Sequence, residues 1–150
     1  MTRQRRVHDK PLVYRRAVVR GELRVRPSTG RAIRAGSVRK GDPIAAGELA
    51  GLLAMKRTPD LIPHCHPVPL TGSRVELTVR GRTVRVEAEA EAVYRTGVEM
   101  EALVGASIAL LTVWDMVKYL EKDEDGGYPS TRLGPVVVVT KLKGEAESAE

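Results

Sequence analysis

The chain has 150 residues, enough for one domain with a buried core, and 42% of them are hydrophobic and 29% charged. No apolar run approaches the roughly 20 residues that span a bilayer, and no signal-peptide core follows the basic start, so a cytoplasmic protein is expected. The single cysteine excludes an internal disulfide framework, and the net charge of +6 favours a polyanionic partner.

The first predicted element is a strand over residues 12–26, in which Gly21 marks a bulge or bend. A short helix follows. Ser28 is expected to cap it, and it should run to about Ala35, where Gly36 closes it.

A second helix is predicted to start at Asp42-Pro43, which supplies a capping acceptor and then a proline at the first helical position. Four apolar residues follow at helical spacing: Ala45, Leu49, Leu52 and Leu53. The helix should end near Arg57, because Thr58 precedes a proline. Residues 60–69 are predicted to form a proline-rich connection.

A β-hairpin is predicted next, with Gly81-Arg82 as its two-residue turn. One face of its two strands is apolar and comprises Val75, Leu77, Val79, Val84, Val86, Ala88, Ala90 and Ala92. Charged residues line the other face of the return strand. The pattern predicts a sheet with only one face on the core.

The longest predicted helix covers residues 98–121 and is apolar nearly all round from Leu103 to Leu120. Val136–Val139 is predicted to be a short buried strand, and residues 144–150 a frayed tail. Four strands with helices on one face predict an α+β sandwich of ferredoxin-like type, with a largely antiparallel sheet. The predicted helix over residues 98–121 is more apolar than burial within one chain requires. This excess and the exposed face of the sheet favour self-association.

Two charged residues, Asp115 and Lys118, interrupt the most apolar part of the long helix at a spacing that allows them to pair. An ordinary ion pair on the helix surface is one interpretation. A general acid/base couple in a low-dielectric cleft is the other, since buried charge needs a reason.

Two further acids, Glu99 and Glu101, lie in the first turn of this helix, where acidic residues also stabilise the helix dipole. Glu101 and Asp115 are 14 positions apart, which places them about 21 Å apart along one helix. If both act on one small substrate, the site must lie across a subunit interface.

Three other segments contain residues that could bind a metal ion or a phosphate group. His64-Cys65-His66 contains residue types that Zn²⁺ accepts, but only His8 remains as a further histidine or cysteine, so a substrate-facing histidine is the favoured reading. Lys40, just before a helix start, suits an anion, although a solvated lysine is the simpler reading. Lys56-Arg57 could hold phosphate oxygens or merely favour a helix C-terminus.

Six stretches, in this order, resemble the cyclic pyranopterin monophosphate synthase family of molybdenum cofactor biosynthesis. They are Lys40-Gly41-Asp42, Lys56-Arg57-Thr58, Leu61-Ile62-Pro63, Cys65-His66-Pro67, the run from Thr96 to Leu103, and Asp115-Met116-Val117-Lys118. The likeness runs from about Lys10 to Val139.

The resemblance implies a homohexamer, built as a trimer of dimers on a ferredoxin-like fold, with active sites at the dimer interface. It implies a lyase that converts 3′,8-cyclo-7,8-dihydro-GTP to cyclic pyranopterin monophosphate and releases pyrophosphate. No cofactor is required, although Mg²⁺ can accompany the triphosphate, for which the sequence has no dedicated carboxylate cage.

By position, the family's catalytic residues map onto Asp115, Lys118 and Lys40, with the first two as the acid/base couple. The resemblance assigns the remaining site residues to substrate binding, in part from a second subunit: Cys65, His66, Glu99, Met100, Glu101, Lys56, Arg57 and Lys141. Lys141 stands in a run, Thr140 to Gly144, that replaces the family's usual Lys-Ser-Gly-Gly-Lys.

The resemblance implies a single domain over residues 1–150, with residues 1–9 and 144–150 expected to be flexible and residues before Lys10 without function. Two other classes remain open. A basic RNA-binding module would explain the charge but not Asp115 and Lys118, and the aromatic fraction of 3% makes stacking platforms scarce. A small zinc protein would need stoichiometric metal. Neither a nucleic-acid nor a membrane partner is expected.

Overall fold

The computed structural model describes residues 1–144, so the predicted frayed tail after Gly144 lies outside the described residues. The elements are β1 (Val13–Arg24), α1 (Pro27–Arg34), α2 (Pro43–Met55), α3 (Thr58–Leu61), β2 (Gly72–Arg80), β3 (Thr83–Tyr94), α4 (Glu99–Glu121) and β4 (Arg132–Gly144).

The four strands form one sheet in the order β2-β3-β1-β4, and every neighbouring pair is antiparallel. The helices α2 and α4 pack on one face of this sheet, and α4 also packs against α2. The βαββαβ order with this strand arrangement is the ferredoxin-like topology, here with the short helices α1 and α3 added between β1 and β2. The predicted fold class is therefore confirmed.

The hairpin prediction is also confirmed. Arg80 pairs with Thr83 across a two-residue turn, and Gly81 has a φ of +56°, which glycine adopts without strain. The inward-facing residues of β3 are fully buried, namely Val84, Val86, Ala88, Ala90 and Ala92. The core therefore lies between the sheet and the two long helices.

The outer face of the sheet carries a network of ion pairs. Arg16 and Arg74 both contact Glu89, and Arg20 and Arg74 both contact Glu87, at 2.6–3.4 Å. These contacts hold the pKa values of the two glutamates below their usual range, chiefly through the hydrogen bonds from the arginines. This face is consequently polar and internally paired.

Helix starts are only partly as predicted. Asp42 caps α2, as expected, by accepting from the backbone N–H groups of Ile44 and Ala45 at 2.9 and 3.2 Å. The prediction that Ser28 caps α1 is wrong, because α1 already begins at Pro27 and its cap position is Arg26. Proline at the first helical position starts a helix and does not end one.

Helix α2 ends at Met55, two residues before the predicted end. The short α3 then takes up Thr58–Leu61 with Pro59 in its first turn, so the connection begins after Leu61 and not at residue 60. Proline here again begins a helical turn, since its missing N–H has no intrahelical partner in that position.

Two glycines lie on the core-facing side of α2, together with Ala54 and Met55. A Cβ on Gly47 would lie 2.6 Å from Leu77 Cδ1, and one on Gly51 would lie 2.8 Å from the carbonyl oxygen of Gly105. The glycines therefore let α2 approach α4 and the sheet closely. The predicted apolar row is helical but divided: Leu52 packs against the core, whereas Leu49 and Leu53 are 59% and 49% exposed.

The prediction of a short buried strand at Val136–Val139 is wrong. Strand β4 spans Arg132–Gly144 at the edge of the sheet, and Val137, Val138 and Val139 are 42–46% exposed. A continuous apolar run is typical of a strand buried on both faces, and this one is instead uncovered within the chain. Its pairing with β1 shifts register beside Gly21, where a bulge or bend was predicted.

Helix α4 is long and apolar enough, by length and composition, to cross a membrane, although no 20-residue apolar run was expected. Half of its apolar window is buried within the chain, which identifies it as the central core helix. Leu111 on its outer side is 44% exposed, so α4 is not covered all round by the described residues.

A buried carboxylate, Glu121, ties the end of α4 to two other segments. It accepts from the hydroxyls of Thr29 and Thr131 at 2.6 and 2.8 Å and from the backbone N–H of Arg26 at 3.1 Å. The side chain is fully buried. Glu121 therefore joins the start of α1 to the start of β4.

We expect Glu121→Ala to lower the free energy of unfolding by about 3 kcal/mol, because three buried or partly buried donors lose their acceptor. Urea denaturation measures this change. The exposed Glu124 supplies the matched control, since Glu124→Ala should change stability by less than about 0.5 kcal/mol. Equal stability of the two variants would contradict the role given to Glu121.

Candidate active site

Three predicted site residues meet beside the second half of α4. The Lys118 ammonium lies 2.8 Å from Asp115 Oδ1, one helical turn away. The Lys40 ammonium lies 3.9 Å from Asp115 Oδ2 and donates to the Asp115 backbone oxygen at 3.2 Å. The structure thus brings Lys40, which is 75 positions distant, to the same carboxylate.

Lys40 is placed by a turn that α4 holds in position. The backbone N–H of Arg39 donates to the Tyr119 hydroxyl at 2.7 Å, and the Arg39 guanidinium lies 4.4 Å from the centre of the Tyr119 ring. Sequence reasoning missed Tyr119, and only its position next to Lys118 could have drawn attention to it.

An aromatic pair lies next to the same cluster. Trp114 and Tyr128 meet edge to face with ring centres 5.4 Å apart. Trp114 directly precedes Asp115 in α4, so the aromatic pair adjoins the charged cluster along the helix. Tyr128 was not predicted as a site residue, because it lies in an acidic, glycine-rich loop without a recognisable pattern.

The charged cluster is open to solvent within one chain. Asp115 is 61% exposed, Lys40 44% and Lys118 40%, so the expectation of a charge pair inside an apolar cleft is wrong for the single subunit. These side chains lie on the side of α4 that the sheet does not cover. Burial of the pair would require a second subunit.

The protonation states of the pair follow from their contact. The hydrogen bond with Lys118 lowers the pKa of Asp115, and the same contact raises the pKa of Lys118. At neutral pH Asp115 is therefore a carboxylate and Lys118 an ammonium ion. The resting pair presents a proton donor, Lys118, beside an anion.

A second group of predicted residues lies at the start of α4. Glu101 is only 4% exposed, and burial, followed by the charge of Glu99, raises its pKa. Lys141 from β4 lies 3.4 Å from Glu99 Oε1, while Glu99 Oε2 is buried without a hydrogen-bond partner among the described residues. Burial raises the pKa of Cys65, with smaller contributions from Glu101 and Glu99.

The neighbouring residues divide between two cavities. Lys56 and Glu101 line a cavity of about 270 Å³ together with apolar side chains. His66 lines a different cavity of about 360 Å³. Arg57 and Met100 are exposed and line neither, although Met100 adjoins both glutamates in sequence.

The histidine pair does not form a metal site in the structure. His64 lies in a turn, where its backbone oxygen accepts from the Gln4 side chain at 3.4 Å. Within residues 1–144, no group of three His, Cys, Asp or Glu side chains lies close enough to hold a metal ion. The zinc interpretation thus gains no support from the fold.

The two groups of residues lie at opposite ends of one helix. Because α4 is continuous from Glu99 to Glu121, the 14 positions between Glu101 and Asp115 correspond to about 21 Å. One small substrate cannot touch both groups in a single chain. We call these groups the lysine half-site (Lys40, Asp115, Lys118) and the glutamate half-site (Cys65, His66, Glu99, Glu101). A small substrate that contacts both would have to lie between two chains.

The raised pKa of Glu101 predicts a specific pH dependence of stability. The folded state retains the Glu101 proton at pH values where the unfolded state has lost it, so this stabilisation is present at low pH and disappears as pH rises through the folded-state pKa. Glu101→Gln should therefore be more stable than the unchanged protein at pH 7, and the difference should vanish below about pH 4. Urea denaturation between these pH values tests this, and a difference that is constant with pH would contradict it.

The chain is similar to known proteins over most of its length. The chain matches the MoaC family over residues 5–144. The chain belongs to the MoaC family. A relative from Thermococcus kodakarensis is 52% identical over 93% of this chain and 89% of its own length. Relatives from Archaeoglobus fulgidus and Sulfurisphaera tokodaii are 49% and 47% identical, covering 94% and 91% of this chain and 90% and 91% of their own lengths.

All three relatives carry the name probable cyclic pyranopterin monophosphate synthase. Membership of the MoaC family identifies the chain as an enzyme and decides against the interpretation as an RNA-binding module without catalysis. The match also begins at Arg5, whereas the likeness was expected to start near Lys10. The basic segment before Lys10 therefore belongs to the family domain.

Proposed function

We propose that this MoaC-family chain is a cyclic pyranopterin monophosphate synthase of molybdenum cofactor biosynthesis. It converts 3′,8-cyclo-7,8-dihydro-GTP to cyclic pyranopterin monophosphate and releases pyrophosphate. The observation that carries the proposal is about 50% identity, over more than 90% of the chain, to relatives named as such synthases. The convergence of Lys40, Asp115 and Lys118 supports it chemically.

The reaction opens and recloses rings of the purine-derived framework, so protons must be given and taken at several atoms. Lys118 is the acid of the resting pair, because Asp115 holds it in the ammonium form. When a second subunit and substrate exclude water, the ammonium form becomes less favoured and Lys118 gives up its proton more readily. Asp115 then orients the free amine as a base. Lys40 stabilises negative charge that develops on the substrate next to them.

The glutamate half-site binds the base from which the pterin forms. Glu99, Met100 and Glu101 provide carboxylates and an apolar contact, and Cys65 and His66 lie on the adjoining connection. The carboxylates accept hydrogen bonds from the N–H groups of a guanine-derived ring. The cationic Lys56, Arg57 and Lys141 contribute to holding the phosphates.

A homohexamer, formed as a trimer of dimers, completes the site by placing the lysine half-site of one chain against the glutamate half-site of its partner. The apolar side chains that the single chain leaves uncovered support self-association: Leu49, Leu53, Leu111, Val137, Val138 and Val139. The exposed edge of β4 supports it further. Salt-resistant association is the expected property of such surfaces.

No resident cofactor is part of the proposal, and Mg²⁺ enters as the counter-ion of the triphosphate. The proposal also includes a cytoplasmic location and no nucleic-acid or membrane partner. Membrane-free purified protein should therefore be fully active.

Purified protein incubated with 3′,8-cyclo-7,8-dihydro-GTP tests the proposed activity. We expect the product to be detected as a fluorescent pterin after oxidation, together with one pyrophosphate per turnover. GTP itself serves as the control and should yield neither product. Failure of the intact, correctly assembled protein to convert the substrate would overturn the proposal.

A further inference from the structure

The N-terminal segment Gln4–Lys10 lies against the glutamate half-site. Arg95 holds it by donating from Nη1 to the backbone oxygens of His8 and Lys10, the first at 3.2 Å. At its other end, the Gln4 side chain donates to the backbone oxygen of His64 at 3.4 Å. The segment is therefore attached to the folded domain at two places, both close in sequence to site residues.

These attachments bring cationic side chains next to His66. The cavity of about 360 Å³ beside His66 is lined by Arg5, Arg6, His8 and Arg95, together with Tyr94. Its volume lies at the lower end of the range for small-molecule sites. Arg5, Arg6 and His8 also line the adjacent cavity, which they share with Arg3, Asp9 and Lys10. Within residues 1–144, no carboxylate forms an ion pair with Arg5, Arg6 or Arg95.

The proposed substrate creates a need for cations at this place. Its triphosphate is strongly anionic, and the glutamate half-site contributes two further carboxylates. Lys141 lies next to the glutamate half-site, but its ammonium group already contacts Glu99. A guanidinium group matches the oxygens of a phosphate with two parallel hydrogen bonds. Arg5 and Arg6 form no ion pair with any carboxylate of residues 1–144, so both guanidinium groups can donate to a phosphate.

On the basis of the proposed function, we infer that Arg5 and Arg6 form a phosphate subsite for the substrate triphosphate and the pyrophosphate product. Arg95 is a positioning residue, because it fixes the backbone of the segment through its own guanidinium group. The inference replaces the expectation that residues before Lys10 have no function. It also explains why a segment without secondary structure is held beside His66.

Pyrophosphate binding to the full-length protein, measured by calorimetry at low salt, tests the inference. We expect Arg5→Ala/Arg6→Ala to weaken pyrophosphate binding by about tenfold or more, since two charge-assisted contacts are lost. Arg31→Ala/Arg80→Ala is the matched control, because these arginines are exposed and lie near the opposite end of the sheet. The control should bind pyrophosphate within about twofold of the unchanged protein.

Kinetics distinguish this inference from the proposed function. In Arg5→Ala/Arg6→Ala, KM for the cyclic nucleotide should rise while kcat changes little, because chemistry occurs at Lys118. If the unchanged protein turns over the substrate but the two double variants bind pyrophosphate equally well, the phosphate subsite is overturned and the proposed function stands. Pyrophosphate binding that depends on Arg5 and Arg6, without any turnover, would support the subsite and overturn the proposed function. Tighter binding of single-stranded RNA than of pyrophosphate, lost in the same variant, would overturn the subsite in favour of a nucleic-acid arm.

Discussion

Lys118→Ala should lower kcat for the cyclic nucleotide by about 10³-fold or more, because the variant loses the group that transfers protons. Its fold and assembly should be unchanged, since Lys118 is partly exposed and its contact with Asp115 lies on the helix surface. Single-turnover kinetics with the fluorescent pterin readout measure the effect. Lys118→Arg should be similarly inactive, because arginine keeps the charge but does not give up a proton.

Lys122 provides the matched control for this substitution. It is an exposed lysine at the C-terminal cap of α4, one helical turn beyond Lys118. Lys122→Ala should retain activity within about twofold of the unchanged protein. Full activity of Lys118→Ala would remove the lysine from the mechanism, and loss of activity in both variants would point to a general effect of charge.

Glu101→Ala should also abolish most turnover, but through substrate binding. The buried carboxylate is lost from the glutamate half-site, and we expect kcat/KM to fall by about 10²-fold or more with much of the change in KM. Titration of the substrate concentration separates the two parameters. A change confined to kcat would contradict a binding role for Glu101.

The control substitution at Glu101 must preserve the volume of the side chain, because the residue is buried. Glu101→Gln is nearly isosteric and should fold with improved stability at neutral pH, so any loss of activity in it reports on charge and hydrogen bonding. Glu124→Ala, in the exposed loop after α4, should leave KM unchanged.

The periodic parts of the fold could be predicted from the sequence. Strict alternation in β3 predicted its buried and charged faces, and the two-residue turn at Gly81 predicted the hairpin. The capping aspartate before Pro43 predicted the start of α2. In each case the local pattern and the tertiary packing favour the same structure.

Predictions failed where packing, not periodicity, decides. Leu49 and Leu53 of α2 look like core residues but are exposed. Gly47 and Gly51 face the core instead, because the sheet and α4 come too close there for side chains. The valines of β4 look buried, but the strand lies at the edge of the sheet. Hydrophobicity alone does not distinguish a core from a surface that another subunit would cover.

The candidate site was predictable in part. The spacing of Glu101 and Asp115 predicted that one chain cannot bring both residues to one small substrate, and the continuous α4 gives this distance. The approach of Lys40 to Asp115 depends on contacts between distant segments, which neither residue signals locally. The contact of Tyr119 with Arg39 and the position of the arginines near His66 also depend on segments that are distant in sequence, so the sequence does not signal them locally.

Mixing two inactive variants tests most directly the claim that the active site is shared between chains. Lys118→Ala and Glu101→Ala subunits, exchanged in equal amounts, should regain activity at about a quarter of the sites, because about half of all pairs are mixed and each mixed pair has one intact site out of two. Lys118→Ala mixed with Asp115→Asn is the control and should stay inactive, since both changes affect the same half-site. Return of activity in the first mixture alone is the predicted result. Confirmed exchange of subunits without any return of activity would contradict a shared site.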